Sequence, residues 1–426
     1  MRLSTEQMFR TGSEAMQRAQ SGLNRTLTQL STGKRILTPS DDPTGATQSA
    51  RFRDTIRSIE QYQRNTDLAE PRLQQEEWAI AGVSDQLQRV RELMIQGAND
   101  SQSNETRRII AREIREIHDS IFDIGNTKEP NGEYLFAGTK SLAEPFKIDA
   151  DGVVSYVGAE GEGSVREIAI TPNRKVAISD NGANVFMTIP ENDGRVSADI
   201  TRANNGAVPR GSLVIKSTEV SDLNLYLSGE NDTDFFDISF DNSAGSTQYQ
   251  VERFGPDGIS KGIEVGLTDY SPGSPIEFAG RTVVLSGQPR LPDGVHPSDI
   301  VSSRPAQSVS LFQSLNAIAT AFETPTDSTS SRADLATAVN RGISDIDATL
   351  NHLSEVRATV GARLQVIDNQ TELNEGRKID LRSTLSELED LDYAEAVTRF
   401  KFQQVALEAA QQTYAQANQL SLFNFI

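Results

Sequence analysis

The chain has 426 residues, one tryptophan and no cysteine, so it can form no disulfide, thiolate nucleophile or thiol metal site. Only 36% of its residues are hydrophobic, which disfavours one thick globular core and favours thin helical bundles with a smaller additional domain. The formal net charge of −19 argues against non-specific nucleic-acid binding, which needs a positive surface field.

The first predicted helix carries a coiled-coil seam, in which large and small residues alternate at steps of three and four. The large row consists of Phe9, Met16, Leu23 and Leu30, and the small row of Gly12, Ala19, Thr26 and Gly33. Small residues let two backbones approach closely but bury little apolar area. We therefore expect this helix to be weak until it packs against a partner, and to end with Gly33 as its cap.

A second, longer helix is predicted to start in Ser40-Asp41-Asp42-Pro43, where Ser40 or Asp41 can cap and Pro43 can occupy the first turn. Pro71 either kinks this helix or begins a new one. Heptad repeats from Leu73 to Met94 indicate that helix continues and packs in an intramolecular core. An isoleucine stripe then predicts one more helix, which stops at Gly125-Asn126.

The pattern changes between residues 142 and 305, which hold 11 of the 16 prolines, 18 of the 30 glycines, and 13 basic against 24 acidic residues. Short apolar runs such as 153–157 and 236–240 are separated by turn sequences. This pattern predicts an antiparallel sandwich or barrel. The sequence Asn204-Asn205-Gly206 indicates a split into two lobes near residue 205.

Helical periodicity returns after Pro305, with a long stripe from Val339 to Ile367 that is expected to be core. The last predicted helix mirrors the first, because small residues again separate large ones. Its large residues are Phe400, Leu407 and Tyr414, and Gln403 is a polar break in the stripe.

These patterns predict an α + β multidomain fold, in which the N- and C-terminal helices pair into a coiled-coil and helical-bundle rod around a central antiparallel β-rich insert. The predicted domains are a terminal coiled coil (1–42 with 385–426), a helical rod (43–141 with 306–384) and the β-rich insert (142–305).

Catalytic, metal and cofactor sites are not predicted. The three histidines, His118, His296 and His352, fall in different segments and share no metal-ligand spacing. The glycine-rich run 158–163 contains two glutamates that would repel a phosphate, and no Lys-Ser/Thr follows it. Residues 149–152 begin like a calcium loop but lack the remaining ligands. We therefore expect a protein that is not an enzyme.

Several segments resemble the terminal signatures of bacterial flagellins and their relatives. At the N-terminal end these are Leu30-Ser31-Thr32-Gly33-Lys34-Arg35-Ile36, Ser40 to Ala46, and Leu87 to Leu93. At the C-terminal end they are Asp390 to Ala396, Gln404 to Ala410 and Ala415 to Gln419. Three further stretches resemble the branch of that family that joins the flagellar hook to the filament: Met1 to Phe9, Asn131 to Thr139, and Pro145-Phe146.

This resemblance implies a structural subunit of the bacterial flagellum, extracellular at the hook–filament junction and exported unfolded without a cleaved signal peptide. The implied partners are further copies in a ring, the other junction protein, flagellin, and a cytoplasmic export chaperone that binds residues 385–426; no membrane or nucleic acid is implied. The terminal helices are expected to be largely disordered in the monomer. The implied assembly contacts are Phe9, Met16, Leu23, Leu30, Phe400, Leu407 and Tyr414, and the implied chaperone contacts are Leu407, Tyr414, Leu420 and Phe423.

Two alternatives remain open from the sequence. The first is flagellin itself, the filament subunit, which spontaneous polymerisation into long filaments would support. The second is a secreted enzyme or glycan-binding adhesin, which a pocket with converging polar groups within residues 142–305 would support.

Overall fold

The computed structural model of this protein describes residues 5–150, 152–161, 163–202, 211–242, 245–291 and 298–423. The predicted turn at Asn204-Asn205-Gly206, residues 1–4 and His296 lie outside this set. The described helices are α1 (Thr5–Thr32), α2 (Pro43–Gly97), α3 (Asn104–Gly125), α4 (Leu223–Tyr226), α5 (Leu311–Glu323), α6 (Thr329–Glu389) and α7 (Tyr393–Phe423).

Strands occupy the centre of the chain, so the predicted fold class is confirmed. They are β1 (Phe146–Ile148), β2 (Val154–Tyr156), β3 (Glu167–Thr171), β4 (Arg174–Ala177), β5 (Ile189–Pro190), β6 (Val196–Arg202), β7 (Val214–Val220), β8 (Phe235–Asp241), β9 (Gln248–Phe254), β10 (Ser260–Asp269), β11 (Pro275–Phe278), β12 (Arg281–Ser286), β13 (Asp299–Pro305) and β14 (Ser308–Val309). A π-helical turn, Ala183–Met187, precedes β5.

The chain divides into two compact units. The terminal unit contains residues 1–66, 170–172 and 368–426, and the central unit contains residues 67–169 and 173–367. The terminal unit therefore combines segments from both ends of the chain, whereas the central unit is the middle of the chain apart from residues 170–172.

The start of α2 differs in detail from the expectation. Asp42 caps the helix, because its Oδ1 accepts a hydrogen bond from the amide of Gly45 at 2.9 Å. Asp41 instead accepts hydrogen bonds from the amides of Leu37 and Thr38 and closes the preceding loop. The helix also continues through Pro71 and does not restart there.

The helical core of the central unit is built from the stripes predicted to be intramolecular. The stripe in α2 is buried, whereas in α6 Val339, Ile346, Leu353, Val360 and Ile367 are buried and Ile343, Leu350 and Leu364 are partly buried. Residues of α3 and α5 complete the core. Gly342 allows α6 to pack closely here: a Cβ on it would lie 2.6 Å from Cε of Met94 and 2.8 Å from Cγ1 of Ile318, so both side chains would have to shift. On the opposite side of α2, Trp78, the single tryptophan of the chain, is 69% exposed.

The β-rich part of the central unit contains two larger antiparallel sheets, ordered β10-β9-β8-β13-β6 and β11-β12-β7. Alternate residues of β8 are buried, as expected for a strand with one face in a core. Apolar residues of both sheets form one cluster, which includes Phe236, Ile238, Val251, Val283, Leu285 and Val301.

The β-rich part is attached to α6 by a network of ion pairs and hydrogen bonds. Arg304 binds both carboxylate oxygens of the buried Glu191 at 2.9 and 3.0 Å, and Arg341 of α6 bonds Glu191 and Asp199. Asn340 of α6 also donates to the carbonyl oxygen of Ile215 at 2.9 Å. Burial raises the pKa of Glu191, but the hydrogen bonds and charges of the two arginines outweigh burial and hold it below its usual range.

Arg281 is a fully buried cation in the β core. Its guanidinium donates to the carbonyl oxygens of Ser303, Asn231 and Asp234 at 3.2, 2.6 and 2.7 Å, and lies 4.7 Å from the centre of the Phe236 ring. Burial lowers the pKa of Arg281 to about 10, so it stays charged at neutral pH. It ties both sheets to the loop after α4.

We expect Arg281→Met to reduce the free energy of unfolding of the central unit by about 3 kcal/mol, because three buried carbonyl groups lose their donor. Denaturant unfolding followed by circular dichroism measures this. Lys216→Met, on an exposed side chain of β7, is the matched control. Equal stability of the two variants would contradict the assigned role.

Candidate assembly interface

Helices α1 and α7 pair antiparallel within the terminal unit. Gly12 lies beside Tyr414, whereas Gly22 lies beside Gln403, so the two helices run in opposite directions. The predicted seam side chains with described burial are all partly buried: Met16, Leu23, Leu30, Phe400, Leu407 and Tyr414. Phe9, Leu420 and Phe423 fall in α1 and α7, but their side chains lie outside the described set.

The small residues of the seam allow the close approach that the sequence predicts. A Cβ on Gly12 would lie 3.1 Å from the Tyr414 ring. The buried hydroxyl of Thr26 donates to Oε1 of Gln403 at 2.8 Å and reaches the carbonyl oxygen of Gly22 at 3.1 Å. Gln403, which is a polar break in the stripe, therefore fixes the register of the two helices.

A short antiparallel bridge, which we call the collar, joins residues 33–35 to residues 389–391. The amide of Arg35 donates to the carbonyl oxygen of Glu389 at 2.6 Å, and the amide of Leu391 donates to that of Gly33 at 2.9 Å. Gly33 has φ +69°, which suits glycine and ends α1 as predicted. The collar thus holds the end of α1 against the end of α6.

Glu389 is the charged centre of the collar. Its side chain is only 4% exposed and pairs with Arg53 at 2.6 Å and Lys34 at 3.4 Å. Burial raises its pKa, but hydrogen bonds from Arg53 and Ser49 and the nearby positive charges outweigh burial and hold the pKa below its usual value. Lys34 also bonds Asp390 at 2.8 Å.

The outer side of α7 exposes large apolar residues. Phe402 is 79% exposed and Val405 64%, and Tyr393 and Val397 on the same helix are also exposed. Phe402 and Val405 lie on the side of α7 opposite the seam; these two residues, here called the outer face, were missed by the sequence analysis, which assigned only one stripe. The signal was available, because Phe402 and Val405 are large apolar residues outside the seam positions, and such residues on a helix surface indicate a contact.

Charge is divided unequally between the two units. The terminal unit holds 15 basic and 16 acidic residues, whereas the central unit holds 26 and 44. Nearly all the net negative charge therefore lies in the central unit. A near-neutral, partly apolar terminal unit is suited to close packing with other chains, while the acidic unit opposes it.

Among the described residues, no cluster of His, Asp and Glu is placed to hold a metal ion. The described histidines have local partners: His118 contacts Asp119 and the Phe312 ring, and His352 bonds the carbonyl oxygen of Asn184. In the part of the chain that the structure describes, no helix is long and apolar enough to cross a bilayer.

A cavity of about 440 Å³ in the central unit lies between α5, α6 and β6, and its lining includes Asp199, Asp334, Arg341 and Asp345. Burial and nearby Asp299 raise the pKa of Asp334 to about 6. Arg341 is paired with Asp199 in the network that attaches the β-rich part. The wall of the cavity therefore carries an ion pair that belongs to the structural network.

Two family models match the chain. The bacterial flagellin N-terminal helical region matches residues 3–141, and the bacterial flagellin C-terminal helical region matches residues 343–426. Together they span slightly more than half of the sequence and coincide with its two helical ends.

Full-length relatives and solved structures extend this similarity. The chain is 22% identical over 424 residues to flagellar hook-associated protein 3 of Escherichia coli (strain K12), covering 99% of each chain. It is 29% identical to the crystal structure of flagellar hook-associated protein 3 from Legionella pneumophila, with a TM-score of 0.70 over 80% of this chain and 98% of that one. A flagellar junction protein structure from the same organism gives 29% identity and a TM-score of 0.65 over 82% and 100% of the two chains.

The collar should weaken in acid. Because the pKa of Glu389 is lowered on folding, its contribution is complete above its ordinary pKa of 4.5 and is lost as the pH falls below that value. We expect hydrogen exchange at the amides of Arg35 and Leu391, corrected for intrinsic rates, to accelerate in this range. In Glu389→Gln the protection should be low at pH 6 and nearly independent of pH. Identical profiles for the two proteins would refute this role.

Proposed function

The chain belongs to the bacterial flagellin family, and on that premise we propose that it is a structural subunit of the junction between the flagellar hook and filament. The supporting observation is the 29% identity to a hook-associated protein structure over 80% of this chain. This matched share is larger than the share of the chain that the two helical ends make up, so the match includes part of the β-rich region. Both solved structures described above, which match with TM-scores of 0.70 and 0.65, are hook-associated or junction proteins, which favours the junction branch.

In this proposal the protein does no chemistry and works through contacts between copies. The terminal coiled coil (1–42 with 385–426) supplies these contacts, and the rod segments (43–141 with 306–384) carry the insert (142–305). The outer face of α7 fits this role, since Phe402 and Val405 are exposed in the single chain and contact with a neighbouring copy would bury them.

We also propose that copies form a ring between the other hook-filament junction protein and flagellin. Before assembly, a cytoplasmic export chaperone covers residues 385–426, and the chain is exported through the flagellar pathway without a cleaved signal peptide. The apolar outer face supports the chaperone role, because such a surface in a free cytoplasmic chain favours aggregation.

A strain lacking this protein provides the direct test. Electron microscopy of the cell surface is combined with an assay of the medium for monomeric flagellin. Hooks without filaments, with flagellin in the medium, are the expected result. Hooks without filaments and without released flagellin would identify the chain as the filament subunit, the alternative within the same family. Normal filaments would overturn both assignments.

Two substitutions in α7 separate pairing within the chain from contact between chains. Leu407→Asp places a charge in the seam, so it should weaken the pairing of α1 with α7 and prevent incorporation into the flagellum. Leu23→Asp places a charge on the α1 side of the seam and should have the same two effects. Phe402→Asp should leave the pairing intact but reduce incorporation about tenfold or more, since burying one phenylalanine contributes about 1.5–3 kcal/mol.

Incorporation is measured by immunodetection on purified flagella, and pairing by hydrogen exchange in α1. Lys401→Asp, at an exposed neighbouring position, is the control and should change neither the pairing of α1 with α7 nor incorporation into the flagellum. Normal motility with Leu23→Asp or Leu407→Asp would show that the seam interpretation is wrong, and normal incorporation of Phe402→Asp would exclude the outer face as a contact.

A further inference from the structure

Glu76 of α2 is a completely buried carboxyl group in the central unit. Its Oε1 accepts a hydrogen bond from the amide of Asp180 at 2.7 Å, whereas its Oε2 has no hydrogen-bond partner among the described residues. The group lies where α2 meets the loop 178–182, and neither the assembly interface nor the insert attachment uses it.

The loop that Glu76 holds is itself fixed. Asn181 donates to Oγ of Ser164 at 3.0 Å and to the carbonyl oxygen of Ala159, and the amide of Gly182 donates to the carbonyl oxygen of Phe136 at 3.0 Å. The carboxylate of Asp180 forms a two-point pair with Arg363 of α6 at 2.8 and 2.9 Å. The loop therefore links α2, α6 and the segments that lead into the β-rich part.

Charges around Glu76 do not balance. Arg72, also on α2, is one of the two cations whose charge acts on Glu76, and it pairs with Glu129 at 2.8 Å and Glu133 at 3.0 Å. Arg166 also pairs with Glu133, at 2.5 Å. Three guanidinium groups thus face four carboxyl groups, and each guanidinium is paired with a carboxylate other than Glu76.

We propose that the contact between Glu76 and the loop 178–182, here called the lock, depends on pH. The contact is stable when the carboxyl group of Glu76 is neutral and weakens when that group ionises. A neutral carboxyl fits a site with one hydrogen bond and no cation of its own. An ionised one would be buried beside the carboxylate of Asp180, so the contact would open locally to admit water.

The direction of the pH effect follows from the two states of the chain. Burial, then the charge of Asp180, raises the pKa of Glu76 from 4.5 to about 8. Between these values the folded chain holds a proton that the unfolded chain has released, so stability falls as the pH rises from about 4.5 to about 8 and then levels off. The lock is therefore tight in mild acid and loose in mild alkali.

Glu76→Gln tests the lock, because the amide keeps an oxygen for the Asp180 hydrogen bond and cannot ionise. We expect the melting temperature of Glu76→Gln to equal that of the unmodified chain near pH 4.5 and to exceed it by a growing margin up to pH 8. Glu77→Gln, which removes the neighbouring carboxyl that pairs with Arg357, is the control and should give a constant offset at pH 6 and pH 9. Parallel profiles for the unmodified chain and Glu76→Gln would overturn the proposal.

A second measurement does not depend on how well the variant folds. Hydrogen exchange in residues 178–182 of the unmodified chain, corrected for intrinsic rates, should accelerate more than tenfold as the pH rises from about 4.5 to about 8 and level off above that. Exchange in the β core around Ile238, which requires global unfolding, should stay slower than exchange in the loop at every pH. Unchanged protection of the loop across this range would refute the lock.

Discussion

The pairing of α1 with α7 through short side chains is the contact on which the rest of the terminal unit depends. It joins residues 377 positions apart in the chain, as in the Thr26–Gln403 hydrogen bond. Short side chains bring the two backbones together but contribute little buried apolar area. The collar adds ion pairs and two main-chain hydrogen bonds at one end. The pair therefore has a defined register but a modest stability of its own, and the outer face is the surface through which the proposed assembly would add stabilisation.

Periodicity predicted those features of the fold that are local or repetitive. The stripe from Leu73 to Met94 is buried, α1 ends at Gly33, and α3 ends at Gly125, because caps and apolar spacing act within a few residues. The antiparallel sheets were predicted for the same reason. The cap of α2 was misassigned by one or two residues, since Ser40, Asp41 and Asp42 have similar capping ability and only the loop geometry selects Asp42.

Contacts between distant segments could not be predicted in this way. The bonds of Arg341 to Glu191 and Asp199 depend on how the sheets meet α6, and no spacing in the sequence encodes that. The burial of Glu76 beside Asp180 is equally invisible, because a glutamate in a helix is normally a solvated residue. The outer face was missed for a different reason: the sequence analysis assigned one apolar stripe to α7 and did not consider the apolar residues outside it.

The exposure of Trp78 has a practical consequence for spectroscopy. Since this single tryptophan is 69% exposed on α2, its fluorescence emission is already close to that of an indole in water and is nearly insensitive to unfolding. The same residue becomes informative when another molecule covers that side of α2, because removal of water shifts indole emission to shorter wavelength. The emission wavelength of Trp78 can therefore report association of the chain with another molecule while changing little when the chain folds.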